Sequence, residues 1–152
     1  MVADGIGSSE SATPGATIPA GTTVGAQHVS DPQCLFCRIV AGQIPATVVR
    51  ESEHFLAFRD IAPQAPTHVL VIPKTHGYRD VGELAAGNPQ LAAALLAEGA
   101  EVAWQEGLPE HADVGGYRFV LNSGDAAGQT VYHVHLHVLG GDALGHFGSA
   151  PH

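Results

Sequence analysis

Alternating apolar and polar positions predict five β-strands along this chain. Each run is rich in β-branched, apolar or aromatic residues and is bounded by Gly, Pro, Ser or Asn. A short polar link separates the first two runs, which predicts an antiparallel hairpin. Pro63 and Pro66 exclude a central strand or a helix interior between the second run and the third. The predicted strands cover residues 46–51, 54–59, 67–72, 117–121 and 131–139.

Helical periodicity predicts one long helix and one short helix. Residues 89–105 are mostly Ala, Leu, Glu and Gln, with an apolar face opposite an acidic one. The apolar face carries Leu91, Leu95 and Val102. A short helix is expected to begin with an N-cap within residues 30–32, to run through residue 40 and to stop at Gly42. The fold class is therefore α+β with a mainly antiparallel sheet.

Composition and charge narrow the classes of function. The chain has 152 residues, which suits one domain with a tail but not two full domains. Its 15 acidic and 6 basic residues give a net charge of −9, which argues against binding of long nucleic acid. Any phosphate-bearing partner is therefore expected to be small. No apolar run approaches the ~20 residues that span a bilayer, and two cysteines indicate a reducing compartment, so we expect a cytoplasmic protein.

The N-terminal segment differs from the rest of the chain. Residues 1–30 are dominated by Gly, Ala, Ser, Thr and Pro and contain neither Lys, Arg nor an aromatic residue. Such a segment cannot bury enough apolar surface to offset the entropy of ordering it, so it is predicted to be a disordered tail. The expected organisation is a tail over 1–30, one domain over 31–141 and a C-terminal tail over 142–152.

The segment 133–138, His-Val-His-Leu-His-Val, carries the strongest chemical signal. A strand would place the imidazoles of His133, His135 and His137 on one face, with neighbouring Cα atoms ~6.6 Å apart. Two chemistries suit such a face: a metal cluster, or nucleophilic and acid–base catalysis near neutral pH. A half-exposed strand whose polar face happens to be His is the alternative without a function.

The loop before this segment offers a cradle for an anion. Gly124 and Gly128 let the backbone approach an anion closely. The uncharged donors are supplied by Asn122, Ser123, Gln129 and Thr130. Such a loop is more often an ordinary turn, so the cradle hypothesis depends on its closeness to the histidines.

Cys34 and Cys37 are separated by two residues, a spacing common in zinc half-sites. Structural zinc takes four ligands, so two histidines from elsewhere in the chain would have to complete the site. A reduced pair of buried thiols and a redox-active pair are the alternatives.

Two stretches of the chain resemble the histidine triad (HIT) superfamily. Residues 128–141, Gly-Gln-Thr-Val-Tyr-His-Val-His-Leu-His-Val-Leu-Gly-Gly, are similar to its signature His-φ-His-φ-His-φ-φ, where φ is apolar, and most similar to the Hint branch. Residues 60–74, Asp-Ile-Ala-Pro-Gln-Ala-Pro-Thr-His-Val-Leu-Val-Ile-Pro-Lys, also resemble that branch. The resemblance implies a five-stranded antiparallel sheet and a homodimer in which two sheets form one ten-stranded layer.

The resemblance implies hydrolysis or transfer at the α-phosphorus of a small nucleotide through a nucleotidylated histidine. His135 occupies the position of the nucleophile, and a neutral imidazole is a competent nucleophile at pH 7. His68 and His137 match residues at the phosphate and the leaving group. The predicted reaction is hydrolysis of a purine nucleoside phosphoramidate. Asp60 is implied to contact the ribose and Ile61 the base, and the remaining nucleotide-binding positions are Asn122, Gly128, Gln129 and Thr130.

The resemblance also implies a zinc site. Some bacterial members of the family carry zinc on an N-terminal CxxC, on the His after a Pro-Lys-x motif and on the first His of the triad. The matching residues here are Cys34, Cys37, His76 and His133. The implied zinc is structural: it would tie the first helix to the sheet without touching the reacting phosphate.

The chain departs from the family pattern in the segment that follows the triad. Eukaryotic Hint proteins carry a Trp after the Gly-Gly, whereas residues 142–152 contain none, so the leaving-group preference is open. Thr130 stands where Ser is usual. His137, in place of the Gln of uridylyltransferase relatives, argues against sugar-phosphate transfer. The alternatives are cleavage of dinucleoside polyphosphates, a nucleotide-binding interaction module with residual hydrolysis, and a triad that serves only as a metal site.

Overall fold

Five antiparallel strands and three α-helices form the domain in the computed structural model, which describes residues 28–113 and 115–147. The predicted tail over 1–30 falls almost entirely outside the described residues, as does the end of the predicted C-terminal tail. The elements in chain order are α1 Leu35–Val40, β1 Val48–Glu51, β2 Phe55–Arg59, β3 Thr67–Pro73, α2 Val81–Gly87, α3 Pro89–Gln105, β4 Tyr117–Val120 and β5 Leu136–Gly140.

The sheet has the order β1-β2-β3-β5-β4, and every neighbouring pair is antiparallel. The predicted α+β class and the β1–β2 hairpin are therefore confirmed. Strand β5 lies between β3 and β4, with Leu70 opposite His137 and Val69 opposite Val138. Because side chains two residues apart share a face, His68, Leu70 and His137 lie on the same side of the sheet. The ten-stranded dimer stays a prediction.

The long helix α3 has the predicted bounds, but the short helix α1 begins later than predicted. Its N-cap is Cys34, whose Sγ accepts from the backbone N–H of Cys37. The expected cap within 30–32 is wrong because the Asp31 carboxylate instead accepts from the N–H of Gln33, 2.8 Å away, in a turn before the helix. The helix ends at Val40 and is capped by Ala41, and the predicted stop Gly42 follows with a φ of 77°.

Helix α2 was not predicted, and neither was a single 3-10 turn over Asp125–Ala127. The α2 helix has an N-cap at Asp80, whose carboxylate accepts from the N–H of Glu83 at 2.9 Å. The Glu83 carboxylate in turn accepts from the N–H of Arg79. Asn88 ends α2 and caps α3, so the two helices are nearly continuous. None of the described helices is long and apolar enough to cross a membrane.

The triad strand is shorter than predicted. Residues 131–135 were expected to be part of it, but the hydrogen-bonded ladder begins only at Leu136. Before the ladder, the N–H of Val134 donates to the carbonyl of Tyr78 instead of to a neighbouring strand. The alternation nevertheless holds, because Val134, Leu136 and Val138 are all buried in the same core cluster. The histidines between them therefore point away from that core.

Two hydrophobic layers cover the two faces of the sheet. One lies beneath α2 and α3, and there Gly99 of α3 is buried against Leu136 and Phe119. The other lies beneath α1 and consists of Phe36, Leu56, Phe58, Leu70 and Ile72. The histidines lie on this second face.

Ion pairs fasten the first two strands at the rim of the domain. Arg50 of β1 is 2.8 Å from Glu98, and Arg59 of β2 is 2.8 Å from Glu106. A third pair joins Lys74 to Glu51 at 2.7 Å. Half of the six basic residues of the chain are thus paired with carboxylates.

Candidate active site and metal centre

The four predicted metal ligands meet in one cluster. The Sγ atoms of Cys34 and Cys37 and one ring nitrogen each of His76 and His133 all lie within 4.8 Å of one another. The cysteines come from the first turn of α1, His76 follows β3, and His133 precedes β5. The structure therefore brings together three segments that are far apart in the sequence.

The distances in this cluster are those of a tetrahedral zinc site. With Zn–S of about 2.3 Å and Zn–N of about 2.05 Å, the edges of a regular tetrahedron are about 3.6 Å for S···N and about 3.3 Å for N···N. The Sγ of Cys34 lies 3.5 Å from Nδ1 of His133, and the Sγ of Cys37 lies 3.5 Å from Nδ1 of His76. The two Nδ1 atoms are 3.3 Å apart. The donor set and the spacing therefore both fit zinc.

The tautomer of His133 also fits a metal. Its Nε2 donates to the carbonyl of Pro73 at 2.7 Å, which leaves the lone pair on Nδ1, toward the cluster. Burial lowers the pKa of His133 to about 4, so the ring is neutral, as a ligand must be. The Nε2 of His76 faces the carboxylate of Asp31 at 3.7 Å. Metal-bound histidines commonly have such acceptors behind them.

His135, the predicted nucleophile, is held in one tautomer. Its Nδ1 lies 2.9 Å from the carbonyl oxygen of His133 and donates to it. The proton of the neutral ring therefore sits on Nδ1, and Nε2 carries a free lone pair. The side chain is only partly buried, so a ligand can reach it. This is the arrangement that a nucleophilic imidazole requires.

His68 and His137 form a directed hydrogen-bond chain beside the nucleophile. The backbone N–H of Gln64 donates to Nδ1 of His68 at 3.0 Å, so the proton of this neutral ring is on Nε2. That Nε2–H donates to Nδ1 of His137 at 2.9 Å. By the same reasoning, the proton of His137 is on its Nε2. The rings of His135 and His137 are 5.0 Å apart between centroids.

The chain of donors ends at an atom without an acceptor. Within the described part of the chain, Nε2 of His137 is the one buried side-chain nitrogen or oxygen that has no hydrogen-bond partner. An unsatisfied buried N–H costs about 1–3 kcal/mol. This N–H is therefore suited to an acceptor that a ligand brings, such as a phosphate oxygen.

Burial keeps the imidazoles of this site neutral. It lowers the pKa of His137 to about 4, with a further contribution from the neighbouring His135 and His68. Burial also lowers the pKa of His135 and of His68, although the nearby carboxylate of Asp60 opposes the change in both. At pH 7 the site therefore presents a neutral nucleophile and neutral donors.

Asp60, His68 and His137 form a second group whose ligand atoms lie within 4.8 Å of one another. A metal on Nε2 of His68 would require a proton on Nδ1, but that nitrogen already accepts the N–H of Gln64. The hydrogen bonds thus favour a proton-bearing pair over a metal here. The triad is divided between two groups: His133 lies in the Cys2His2 cluster, and His135 and His137 lie with His68 in the predicted catalytic site.

Asp60 and Ile61 are the residues predicted to contact the nucleoside, and Asp60 lies beside His68. One carboxylate oxygen of Asp60 accepts from the N–H of Ala62 at 2.8 Å, and the other lies 3.5 Å from Nε2 of His68. The side chain of Ile61 is 99% exposed, so nothing in the described chain covers it. The carboxylate of Asp60 is therefore placed where a ligand at the histidines could reach it. Contact of Ile61 with a ligand stays a prediction.

The predicted phosphate loop is anchored by Gln129. Its side-chain oxygen accepts from the N–H of Gly124, and its amide nitrogen donates to two backbone carbonyls, those of Arg79 and Val131. The structure thus gives this side chain a part in holding the loop. Gly128 adopts a φ of 93°, which favours glycine. Asn122 is partly buried and Thr130 is exposed, and their contact with a nucleotide stays a prediction.

Sequence reasoning missed the groups that orient the histidines. Phe36 packs against His135, with ring centroids 5.0 Å apart and planes at 83°. The carbonyl of Pro73 and the N–H of Gln64 are backbone groups, which no side-chain pattern reveals. For Phe36 the sequence held one signal, its place between two cysteines that were predicted to bind zinc.

The fold and the site together define a class: an α+β domain in which His135 and His137 lie beside a Cys2His2 cluster that fits zinc. The chain belongs to the HIT domain family, whose model matches residues 41–144. The purine nucleoside phosphoramidase of Escherichia coli is 39% identical over 113 residues, which are 74% of this chain and 91% of that protein. The predicted enzyme class, a hydrolase of the HIT family, is confirmed.

Solved structures show the same fold. A HIT family hydrolase from Legionella pneumophila superposes with a TM-score of 0.66 at 49% identity, covering 72% of this chain and 94% of that chain. A Zn-bound histidine triad family protein from Mycobacterium smegmatis has a TM-score of 0.59 at 42% identity, covering 71% and 74%. The Zn-bound relative and the four-ligand cluster of this chain both support zinc, the predicted cofactor.

Proposed function

We propose that this chain hydrolyses purine nucleoside phosphoramidates at the α-phosphorus through a covalent nucleotidyl-His135 intermediate. The observation that carries the proposal is the fixed tautomer of His135, whose Nδ1–H donates to the carbonyl of His133 and whose Nε2 lone pair is free. The name of the E. coli relative, a purine nucleoside phosphoramidase, supports the choice of substrate.

In the first step, Nε2 of His135 attacks the α-phosphorus, and the bond from phosphorus to the leaving nitrogen breaks. The leaving nitrogen takes a proton and departs as an amine. His137 is placed to pass this proton, because its Nε2–H is buried, has no partner among the described residues and belongs to a ring next to His135. The proton that His137 gives up is restored by the water that attacks in the second step. The Nε2–H of His68 supports His137 from behind through the 2.9 Å hydrogen bond.

In the second step, water attacks the same phosphorus and the bond to His135 breaks. The product is a nucleoside monophosphate, and the free imidazole is restored. The covalent route divides one difficult displacement into two easier ones. The His133 carbonyl stabilises positive charge on His135 in both steps, because it accepts from the ring nitrogen opposite the bond to phosphorus.

Residues near His68 and His137 recognise the nucleoside. Asp60, next to His68, accepts from the ribose hydroxyls, and the fully exposed Ile61 packs against the purine. The loop that Gln129 holds supplies uncharged donors to the phosphate. When bound by Cys34, Cys37, His76 and His133, zinc supplies structural cross-linking of α1 to the sheet.

The test is incubation of the full chain with adenosine 5′-phosphoramidate, with product followed by chromatography and adenylated protein trapped by mass spectrometry. Wild type is expected to release AMP and to show an adenylated peptide that contains residue 135. His135→Ala is expected to lose both. His54→Ala removes an exposed imidazole in the β1–β2 turn and serves as the matched control.

Equal turnover by wild type and His135→Ala would show that the assigned nucleophile is wrong. Binding of AMP without turnover of the amide would favour a nucleotide-binding module. Cleavage of a diadenosine polyphosphate at a higher kcat/KM than the amide would favour the polyphosphate substrate class.

A further inference from the structure

The side chain of Phe36 joins the metal cluster to the nucleophile. It lies between Cys34 and Cys37 in the sequence, and 4% of its surface is exposed. Its ring stands nearly perpendicular to that of His135, at 5.0 Å and 83°, and to that of His133, at 5.8 Å and 78°. One buried side chain therefore contacts both a metal ligand and the residue with the reactive lone pair.

The position of Phe36 depends on the metal ligands. Helix α1 has only six residues, and so short a helix is not stable without tertiary contacts. The two cysteines on either side of Phe36 belong to the metal cluster. Cys37 directly follows Phe36, and Cys34 precedes it with Leu35 in between. The remaining support is packing of Phe36 and Ile39 in the cluster beneath α1.

The hydrogen bond to the His133 carbonyl fixes one atom of the His135 ring but not its plane. A ring held only through Nδ1 can still rotate and carry Nε2 away from the phosphorus. The perpendicular contact with Phe36 restricts this rotation, because aromatic rings prefer edge-to-face packing with centroids 4.5–7 Å apart. His135 is thus held from two directions: by the carbonyl of a metal ligand and by the aromatic ring between the two cysteines.

We propose that Phe36 is a positioning residue, which carries the constraint of the Cys34/Cys37 metal clip to the plane of the His135 ring. This role rests on the proposed function of His135 as nucleophile. It is a role in orientation and not in recognition of the substrate. Removal of the ring should therefore lower kcat and leave KM and zinc binding nearly unchanged.

The experiment compares Phe36→Leu and Phe36→Met with the control Ile39→Ala in the zinc-loaded full chain. Leu and Met keep an apolar side chain of similar volume and remove the ring, whereas Ile39→Ala loosens the packing of α1 and leaves the ring in place. Three quantities are measured: zinc content, kcat and KM for adenosine 5′-phosphoramidate, and the tautomer of His135 by two-bond ¹H–¹⁵N NMR of histidine-labelled protein.

In both Phe36 variants we expect full zinc content, a KM within about twofold of wild type and a kcat lower by about tenfold to a hundredfold, the loss that a misplacement of about 1 Å produces. Rotation of the His135 ring would also weaken the bond from its Nδ1–H to the His133 carbonyl, so the NMR signals of His135 should change from a single Nδ1–H tautomer to a mixture. Because the metal ligands Cys34 and Cys37 still hold Phe36 in place, Ile39→Ala should lower the free energy of unfolding but retain the wild-type kcat and the single tautomer.

Three results would overturn the proposal. A higher KM at unchanged kcat would make Phe36 a contact for the substrate. Loss of zinc in proportion to the loss of kcat would make it a support of the metal site alone. An unchanged kcat and tautomer would remove the role altogether. If His135→Ala is inactive in the same assay while the Phe36 variants behave as wild type, only the positioning role fails; if His135→Ala is active, the proposed function fails.

Discussion

Gly99 offers a sharp test of how α3 packs on the triad strand. It lies in the interior of the helix and faces Leu136, the first residue of β5, and Phe119 of β4. A Cβ at this position would lie 2.4 Å from Cδ2 of Leu136 and 2.9 Å from Cζ of Phe119. Both distances are shorter than carbon atoms tolerate, so Gly99→Ala must displace at least one neighbour.

Two opposing effects determine how much Gly99→Ala changes the free energy of unfolding. Replacing glycine by alanine inside a helix favours the folded state by about 1 kcal/mol. Inserting a methyl group into a well-packed core costs about 1–3 kcal/mol, and Leu136 has no exposed surface into which it could move. Because two neighbours are affected, we place the cost near the upper end. Gly99→Ala should therefore lower the free energy of unfolding by about 1–2 kcal/mol.

The assay is urea denaturation of the zinc-loaded chain, with Gly82→Ala as the control. At Gly82 in α2, the nearest atom to a new Cβ is Oδ1 of Asp80 at 3.4 Å, an ordinary contact, so the helix preference acts alone. Gly82→Ala should raise the free energy of unfolding by about a few tenths of a kcal/mol or more, and Gly99→Ala should lower it. If Gly99→Ala is as stable as wild type, the close packing of α3 on β5 is refuted.

Three further predictions concern the site. The pKa of His137 is about 4 in the fold and 6.5 ordinarily, so the unfolded state binds a proton between these values that the folded state does not. The contribution of His137 to the free energy of unfolding is then full above pH 6.5 and falls toward pH 4. In this range the urea midpoint of His137→Asn should fall less steeply with decreasing pH than that of wild type. An equal dependence on pH in the two proteins would contradict this. Asp31→Ala, which removes the carboxylate behind His76, should weaken zinc retention against a chelator by about tenfold to a hundredfold, whereas the exposed Asp113→Ala should not. Gln129→Ala leaves two backbone carbonyls without their amide donor and should lower the free energy of unfolding by about 2 kcal/mol in urea titrations, with no change as the contrary result.

Local patterns were sufficient for most of the fold. The five strands, the hairpin and the long helix follow from alternation and helical periodicity, since each buries one face of a regular element. The bounds of α3 were predicted from the change to Ala, Leu, Glu and Gln and from helical periodicity. In the structure Asn88 caps this helix and Pro89 is its first residue. The family motifs then indicated which histidines and cysteines meet, and the structure brings together all four predicted metal ligands.

The differences arise where side chains or distant segments override the local pattern. Helix α2 lacks a clear apolar stripe, and its start depends on two side-chain bonds. The Asp80 carboxylate accepts from the N–H of Glu83, and the Glu83 carboxylate accepts from the N–H of Arg79. The strand after residue 131 was predicted too long because Val134 bonds to the carbonyl of Tyr78, a partner 56 positions earlier in the chain. Sequence also could not give the tautomers of the histidines, since backbone groups set them.

The pairing of basic side chains at the rim has a consequence for the reaction. Arg50, Arg59 and Lys74 neutralise carboxylates, while uncharged rings and backbone amides face the phosphate under the proposed function. These three paired side chains are therefore not available to hold the phosphate by charge. The surplus of acidic groups also repels an anionic product. Release of the monophosphate is then helped by the charge of the whole domain, and turnover need not wait for a tightly held ion to escape.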